Sequence, residues 1–321
     1  MKFKGVDFWP HGKLFPIMPQ RFRAVPVSIV AFVLAVVILA TSGLNFGIDF
    51  KGGSLFEIRT KSGPVDIAQL RDDLGQLGLG DVQIQGLDTD NEALIRVEEQ
   101  PATEELSSEK AQQAAAAKVT EALGSDIEIR RSEVVGPAVS SELKQAGLIA
   151  VLSAIFGILL YIWFRFEWQF GIAAIIALVH DIIITLGVFS LLGLTFGLTE
   201  VAALLTLAGY SINDTVVVFD RIRENLRRYK KKPLDELMNL SINETMSRTV
   251  ITSGTTFFAV LAIYIFGTEV IQGFAFAMLF GILIGTWSSI FVASPFLLWV
   301  GVKRDWSKEG AATGTEVISK A

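Results

Sequence analysis

Apolar residues fall along this chain in six long blocks, separated by polar segments of unequal length. The blocks run at about 24–43, 147–164, 170–192, 200–219, 249–267 and 271–300. A helix crosses a bilayer with roughly 18 or more apolar residues, so six transmembrane helices are predicted. The sixth block is long enough to tilt, or to bend near Pro295. The first block is too long for the apolar core of a signal peptide and reads as an uncleaved anchor. The segment before it, 1–23, carries Trp9, Phe15, Phe22 and several prolines and is expected at the membrane interface or in the cytoplasm.

The long polar segment 44–146 has its own pattern. Alternating apolar and polar positions predict strands at 54–60, 81–88, 93–99 and 126–135. Apolar positions spaced by three and four predict helices at 65–78 and 107–124. Asp90 and Asn91 supply the turn between the middle strands. The order β-α-β-β-α-β is that of a ferredoxin-like split βαβ, so one small α+β domain is expected here. GPAVSSELKQAG, 136–147, reads as a helical lead into the second block. No tandem repeat is visible.

Charge gives these parts an orientation. Lys2, Lys4, Lys13, Arg21 and Arg23 precede the first block, and Arg165 follows the second. The segment 220–248, read as a loop, carries Arg221, Arg223, Arg227, Arg228, Lys230, Lys231 and Lys232. The tail 301–321 carries Lys303, Arg304 and Lys308, whereas the turns 193–199 and 268–270 carry no Lys or Arg. Six spans put all the basic segments on one side, so both termini are expected in the cytoplasm and 44–146 outside it. Topology accounts for the basic segment without a nucleic-acid partner.

Composition narrows the chemistry. Hydrophobic residues are 51% of the chain, more than a soluble surface can cover. There are no cysteines, which excludes disulfides and thiol chemistry. The two histidines, His11 and His180, exclude a histidine-rich metal site. No GxxxxGK[ST] loop is present for a nucleotide phosphate.

The informative residues are polar ones inside apolar blocks. An Asp near the centre of a span costs about 2.5–3.5 kcal/mol on insertion scales. Asp214 lies in the fourth block, about 20 Å along it at 1.5 Å per residue. Asn213 and Thr215 flank it. A carboxyl there either carries protons, charged in one conformation and neutral in another, or simply joins helices by hydrogen bonds. Asp181 follows His180 in the third block, and the pair either relays protons or packs as a buried pair. Adjacent residues point about 100° apart on a helix, so the two need not face each other. Asp220 lies near the end of the fourth block, within reach of Arg223 or Arg248. Arg248 opens the fifth block, where it either obeys the charge rule or reaches inward to Asp214. Gly171, Gly187, Gly209, Gly254, Gly281 and Gly285 are candidates for close helix contact, the last two as GxxxG.

Three segments together carry a resemblance: NFGIDFKGGS (45–54), GYSINDTVVVFDRIREN (209–225) and SRTVITSGTT (247–256). Over nearly its whole length the chain resembles the SecD/SecF family of the RND superfamily, on its SecF side. The second segment is the specific one; GIDFKGG, with Gly47, Asp49, Phe50, Gly52 and Gly53, is shared with SecD. The resemblance implies half of an RND-type unit in the bacterial inner membrane, with the domain 44–146 in the periplasm and SecD supplying the other half. It implies association with the SecYEG translocon, YajC, membrane lipid and the translocating preprotein. It implies no cofactor, and a proton-motive force spent on the late stage of export. By position, Asp214 and Arg248 match the family's proton pathway, with Asn213 and Thr215 beside them.

Other readings stay open on the residues alone. A small-molecule exporter would use the same buried acid, but such exporters are usually twice this size. A non-transporting scaffold would leave Asp214→Asn nearly silent. An aspartyl protease would need a paired-acid signature, and Asp181 and Asp214 lie at different depths.

Overall fold

The computed structural model describes residues 14–87, 89–101 and 107–302. The expectations for Trp9, for the first lysines and for the tail from Lys303 onward lie outside them. In chain order the elements are α1 (Arg21–Ser42), β1 (Asn45–Phe46), α2 (Ile48–Lys51), β2 (Gly53–Thr60), α3 (Ile67–Gly75), β3 (Val82–Gly86) and β4 (Glu92–Val97). They continue with α4 (Ser108–Leu123), β5 (Ile127–Val135), α5 (Pro137–Arg165), α6 (Trp168–Leu192), β6 (Thr195–Phe196), α7 (Leu198–Arg228), α8 (Leu234–Phe266), α9 (Glu269–Ser288) and α10 (Ser294–Val300). They form two compact units, one of residues 46–150 and 195–198 and one of the remainder.

The smaller unit is the expected α+β domain. Its sheet runs β3-β4-β2-β5 with every neighbour antiparallel, which is the ferredoxin-like order. Phe56 faces Ile95 and Ile58 faces Ala93 across β2 and β4. These side chains join Leu70 and Leu74 of α3 and Ala115, Val119 and Leu123 of α4 in one core. The alternation along β5 is complete, half-buried positions taking turns with exposed ones. Asp66 caps α3 by accepting from the N–H groups of Ala68 and Gln69, both at 3.0 Å.

The larger unit is helical. Among the described residues six helical segments are long and apolar enough to cross a membrane: Met18–Ser42, Pro137–Arg165, Trp168–Leu192, Leu198–Arg228, Leu234–Phe266 and Val270–Val300. The chain is a multi-pass membrane protein. α6, α7 and the sixth segment carry the core, while α1, α5 and α8 bury few of their residues. Phe170 and Phe219 meet edge to face at 5.2 Å in that core, with Phe166 against both.

Two features differ from the sequence expectation. The segment read as a basic loop, 220–248, is mostly helix: α7 continues to Arg228 and α8 starts at Leu234. Ile222, Asn225 and Leu226, then Leu237, Met238, Ser241, Ile242 and Thr245, keep the three-and-four spacing and are buried. The break falls at Tyr229–Pro233, where Pro233 precedes α8. The sixth span is interrupted by one π turn, Ser289–Ala293, just before Pro295. Proline removes a backbone donor, and a wider turn accommodates the loss. The Ser294 hydroxyl donates to Ser289 O at 2.9 Å across that turn.

The small residues divide. A Cβ on Gly187 would lie 2.5 Å from Cβ and 2.8 Å from Cα of Ala35, so α6 and α1 meet backbone to backbone there. Gly281 is crowded by Leu207 and Gly285 by Ser211, which makes the GxxxG pair the contact of α9 with α7. Gly209 and Gly254 have nothing within 4 Å, and no helix contact needs them.

Candidate functional site

Asp214 lies on the buried face of α7 at 6% exposure. Its Oδ1 accepts from the Thr249 hydroxyl of α8 at 2.8 Å. Its Oδ2 is buried and has no hydrogen-bond partner among the described residues. Thr215, the next residue, is fully buried and shares a hydrogen bond of 2.8 Å with Ser289. Asn213 points the other way and is exposed, as the 100° step along a helix dictates. Arg248 is exposed as well and forms no ion pair with Asp214 among the described residues. Thr249, one position on, takes the inward face.

Asp181 makes a second polar centre between α6, α7 and the sixth span. It is fully buried. Ser211 donates to its Oδ2 at 2.6 Å and Ser288 at 2.8 Å. His180 Nδ1 lies 2.9 Å from its Oδ1, so the adjacent pair does face itself. Thr185 donates to the Asp181 carbonyl at 2.7 Å. Asp181 and Asp214 share no hydrogen bond.

Asp220 pairs with neither Arg223 nor Arg248. Arg165, at the end of α5, donates to both its oxygens at 2.8 and 3.0 Å. Arg223 instead donates to the Arg165 carbonyl at 3.2 Å. Next to it, Arg221 meets Glu224 at 2.7 Å and Glu244 at 3.0 Å, and buried Asn225 donates to Ser241 and Glu244 at 2.9 and 2.7 Å. These groups tie α7 to α8.

The glycine-rich segment is a structural joint of the α+β unit. Gly47 N–H donates to Phe196 O at 2.9 Å, and Phe50 stacks on Phe196 at 6.2 Å. Asp49 Oδ2 accepts from the N–H of Leu198 at 2.9 Å. Gly53 has φ 115° and a Cβ there would strike Val97 O. Gly52 has φ 76° and a Cβ there would lie 2.7 Å from Glu99 Oε2. Only glycine fits both conditions at either position.

The donors Thr249, Ser211, Ser288 and Ser289 were not singled out in the sequence. Their signal is a run of hydroxyl residues inside apolar blocks, as in WSSIFVAS, 287–294. Among the described residues no group of three or more His, Cys, Asp or Glu is placed to hold a metal ion.

Six apolar helices, a ferredoxin-like unit and carboxylates buried between helices define a multi-pass membrane protein with an α+β domain. Residues 115–303 match the protein export membrane proteins SecD/SecF, C-terminal, and residues 37–63 match the SecD/SecF GG motif. The chain belongs to the SecD/SecF family. It is similar to a protein translocase subunit SecF of Desulfurispirillum indicum, 48% identical over 295 residues, covering 88% of this chain and 91% of that one. A protein translocase subunit SecF of Cereibacter sphaeroides is 46% identical over 306 residues, covering 92% and 93%. The crystal structure of SecDF, a translocon-associated membrane protein from Thermus thermophilus, matches with a TM-score of 0.78 at 36% identity. That match covers 91% of this chain and 39% of the longer SecDF chain.

Proposed function

We propose that this chain is the SecF-type subunit of a protein-export complex and that it couples the proton-motive force to late-stage export of preproteins. The observation that carries the reading is Asp214: a buried carboxyl in a span, held by one hydroxyl, with its second oxygen without a partner among the described residues. The names of the similar proteins support export, and the fused SecDF chains support a SecD partner in a shared assembly. Working with SecYEG and YajC, placement in the bacterial inner membrane, cytoplasmic termini and a periplasmic α+β domain belong to the same proposal. The basic segments on one side support that orientation.

The cycle follows from charge. Ionised, Asp214 attracts Arg248, which lies one residue from the Thr249 donor. Protonated, it releases the arginine and keeps the hydroxyl contact. One elementary charge crossing about 100 mV supplies roughly 2.3 kcal/mol, enough to bias an equilibrium about fifty-fold. The bias would act on the packing of α7 against α8. No cofactor enters; the gradient is the energy source.

The test uses inverted vesicles reconstituted with the full export machinery. Asp214→Asn, with its assembly checked, is expected to lose the force-dependent step. Unchanged export would sink proton coupling and leave Asp214 as a helix-joining group in a scaffold.

A further inference from the structure

We propose that His180 and Asp181 form a second proton-exchanging site, coupled to the Asp214 region through hydroxyl groups that share the carbonyl of Gly285; this rests on the proton-coupled reading above. Both residues are buried, Asp181 completely. Ser211 and Ser288 donate to the Asp181 carboxyl, and His180 Nδ1 lies 2.9 Å from its other oxygen. Beside an ionised Asp181, which only accepts, Nδ1 carries the hydrogen of the neutral imidazole and the other nitrogen is then an acceptor. That atom, His180 Nε2, is buried and has no hydrogen-bond partner among the described residues. The Phe32 ring lies parallel to the imidazole at 6.5 Å. An acceptor nitrogen kept from water and from protein donors is a place for a proton. When a proton arrives, the imidazolium already has the Asp181 carboxylate beside it, so the charge is balanced within the pair.

The hydroxyls give the site a connection. Ser288 reaches both Asp181 Oδ2, at 2.8 Å, and Gly285 O, at 3.1 Å. Ser289 reaches the same carbonyl at 2.9 Å and Thr215 at 2.8 Å. Thr215 is the neighbour of Asp214 in the chain. Gly285 O only accepts, so the two serines share it without passing a proton between them; a change of charge at one site reaches the other by re-partnering of these hydroxyls. Gly285 makes the close approach possible: a Cβ there would lie 3.2 Å from Ser211 Cβ and 3.5 Å from Asp181 Oδ2.

The groups facing the pair from the helices around it are Phe32 of α1, Ser211 of α7, and Gly285 and Ser288 of α9. None of these titrates. The ionisable residues elsewhere on those helices are Arg21 and Arg23 of α1, Glu269 of α9, and those of α7, with Asp214 one turn along α7 from Ser211.

The test reads the imidazole directly. The chain has two histidines, so His11→Gln leaves His180 alone. That protein, 15N-histidine-labelled and assembled with its partner in proteoliposomes, is followed by solid-state NMR from about pH 5 to about pH 8. The Nε2 resonance is expected to move from the unprotonated to the protonated position, with a midpoint that shifts in Asp214→Asn. A His180 ring that keeps one state throughout overturns the proposal, and so does a midpoint that ignores Asp214→Asn. In the export assay His180→Asn keeps an N–H near the Nδ1 position and removes Nε2. It is expected to displace the pH profile of the force-dependent step. An unchanged profile, beside a lost step in Asp214→Asn, overturns this site and leaves the proton-coupled reading standing. Retention of the step in Asp214→Asn sinks that reading instead, and the NMR titration alone then decides the site.

Discussion

Thr249 Oγ1 donates to Asp214 Oδ1 at 2.8 Å, joining α8 to a carboxyl of α7 whose other oxygen is buried without a partner among the described residues. Arg248 stands next to that donor on α8 and is exposed. The position that holds Asp214 and the position that would exchange with it are therefore consecutive residues.

Removing the hydroxyl separates the two. Thr249→Val keeps shape and leaves Asp214 with no hydrogen bond among the described residues. A buried polar group stripped of its partner costs about 1–3 kcal/mol. Thermal unfolding in detergent should fall accordingly, and force-dependent export should fall with it. Thr249→Ser restores the donor and should rescue both. Export that is normal in Thr249→Val would make the contact incidental.

Asp220 and Arg165 allow a contrast. Their ion pair is 2.8 Å long, yet both side chains are about two-fifths exposed. Solvent-exposed pairs are worth about 0–1 kcal/mol. Arg165→Gln should change stability by less than about 1 kcal/mol, and raised salt should mimic it. A larger loss in an unfolding titration would give the pair a mechanistic role.

How far the sequence carried the structure depends on what each feature answers to. The α+β unit was legible because its strands alternate and its helices repeat, and those periods are local. Asp214 was legible because a carboxyl in an apolar block stands out on cost alone. Its partner was not. Whether Thr249 or Arg248 faces α7 is decided by the rotation of α8, and no local period records that rotation. Asn213 shares the sequence neighbourhood of Asp214 but not its face. Asp220 had arginines nearby in sequence and took Arg165, 55 positions away, because the end of α5 reaches it. The stem 220–248 looked like a loop because its charges hide a helical spacing carried by Ile222, Leu226, Leu237, Met238 and Ile242.

Glu92 predicts a pH response of the α+β unit. Its carboxylate accepts from Thr89 at 2.7 Å, from Arg59 Nε at 2.7 Å and from Arg130 at 2.5 Å. Those bonds, with that of Thr89 the largest, hold its pKa below the ordinary carboxylate value against the opposing effect of burial. A folded-state pKa below the unfolded one contributes stability above about pH 4.3 and loses it as the pH falls through the folded value. Protection factors for amide exchange in β4 should therefore fall in acid below about pH 4. Glu92→Gln should be less protected at neutral pH and should flatten that dependence. Equal acid sensitivity in the variant would place the response elsewhere.

Gly53 makes the sharpest demand of the glycine-rich segment. Its φ of 115° and the approach of Val97 O forbid a side chain. Gly53→Ala should break the end of the β2–β4 ladder, where Ser54 pairs with Val97, and raise exchange there. Gly75, in α3 with nothing within 4 Å, is the control. Gly75→Ala should be neutral or stabilise by about 0.5–1 kcal/mol. If both variants behave alike, backbone geometry is not what Gly53 supplies.

The chain just before α1 is held by two amides of α8. Asn239 Oδ1 accepts from the N–H groups of Ile17 and Met18, both at 2.9 Å. Asn243 Oδ1 accepts from Phe15 N–H at 2.9 Å, and both amide nitrogens donate to Phe15 O at 3.0 and 2.9 Å. An amide offers a donor and an acceptor together, and a backbone strand needs both. Asn239→Asp keeps the acceptor and loses the donor, so it should loosen the strand less than Asn239→Ala. The double change Asn239→Ala with Asn243→Ala strips five bonds at a net of about 0.5–1.5 kcal/mol each. Ile17 and Met18 remain packed in the helical core, so release should be local. Amide exchange at Phe15, Ile17 and Met18 should rise by an order of magnitude or more, with α8 unchanged. If exchange at these amides stays slow in the double variant, the apolar contacts of Ile17 and Met18 hold the strand and the two asparagines do not.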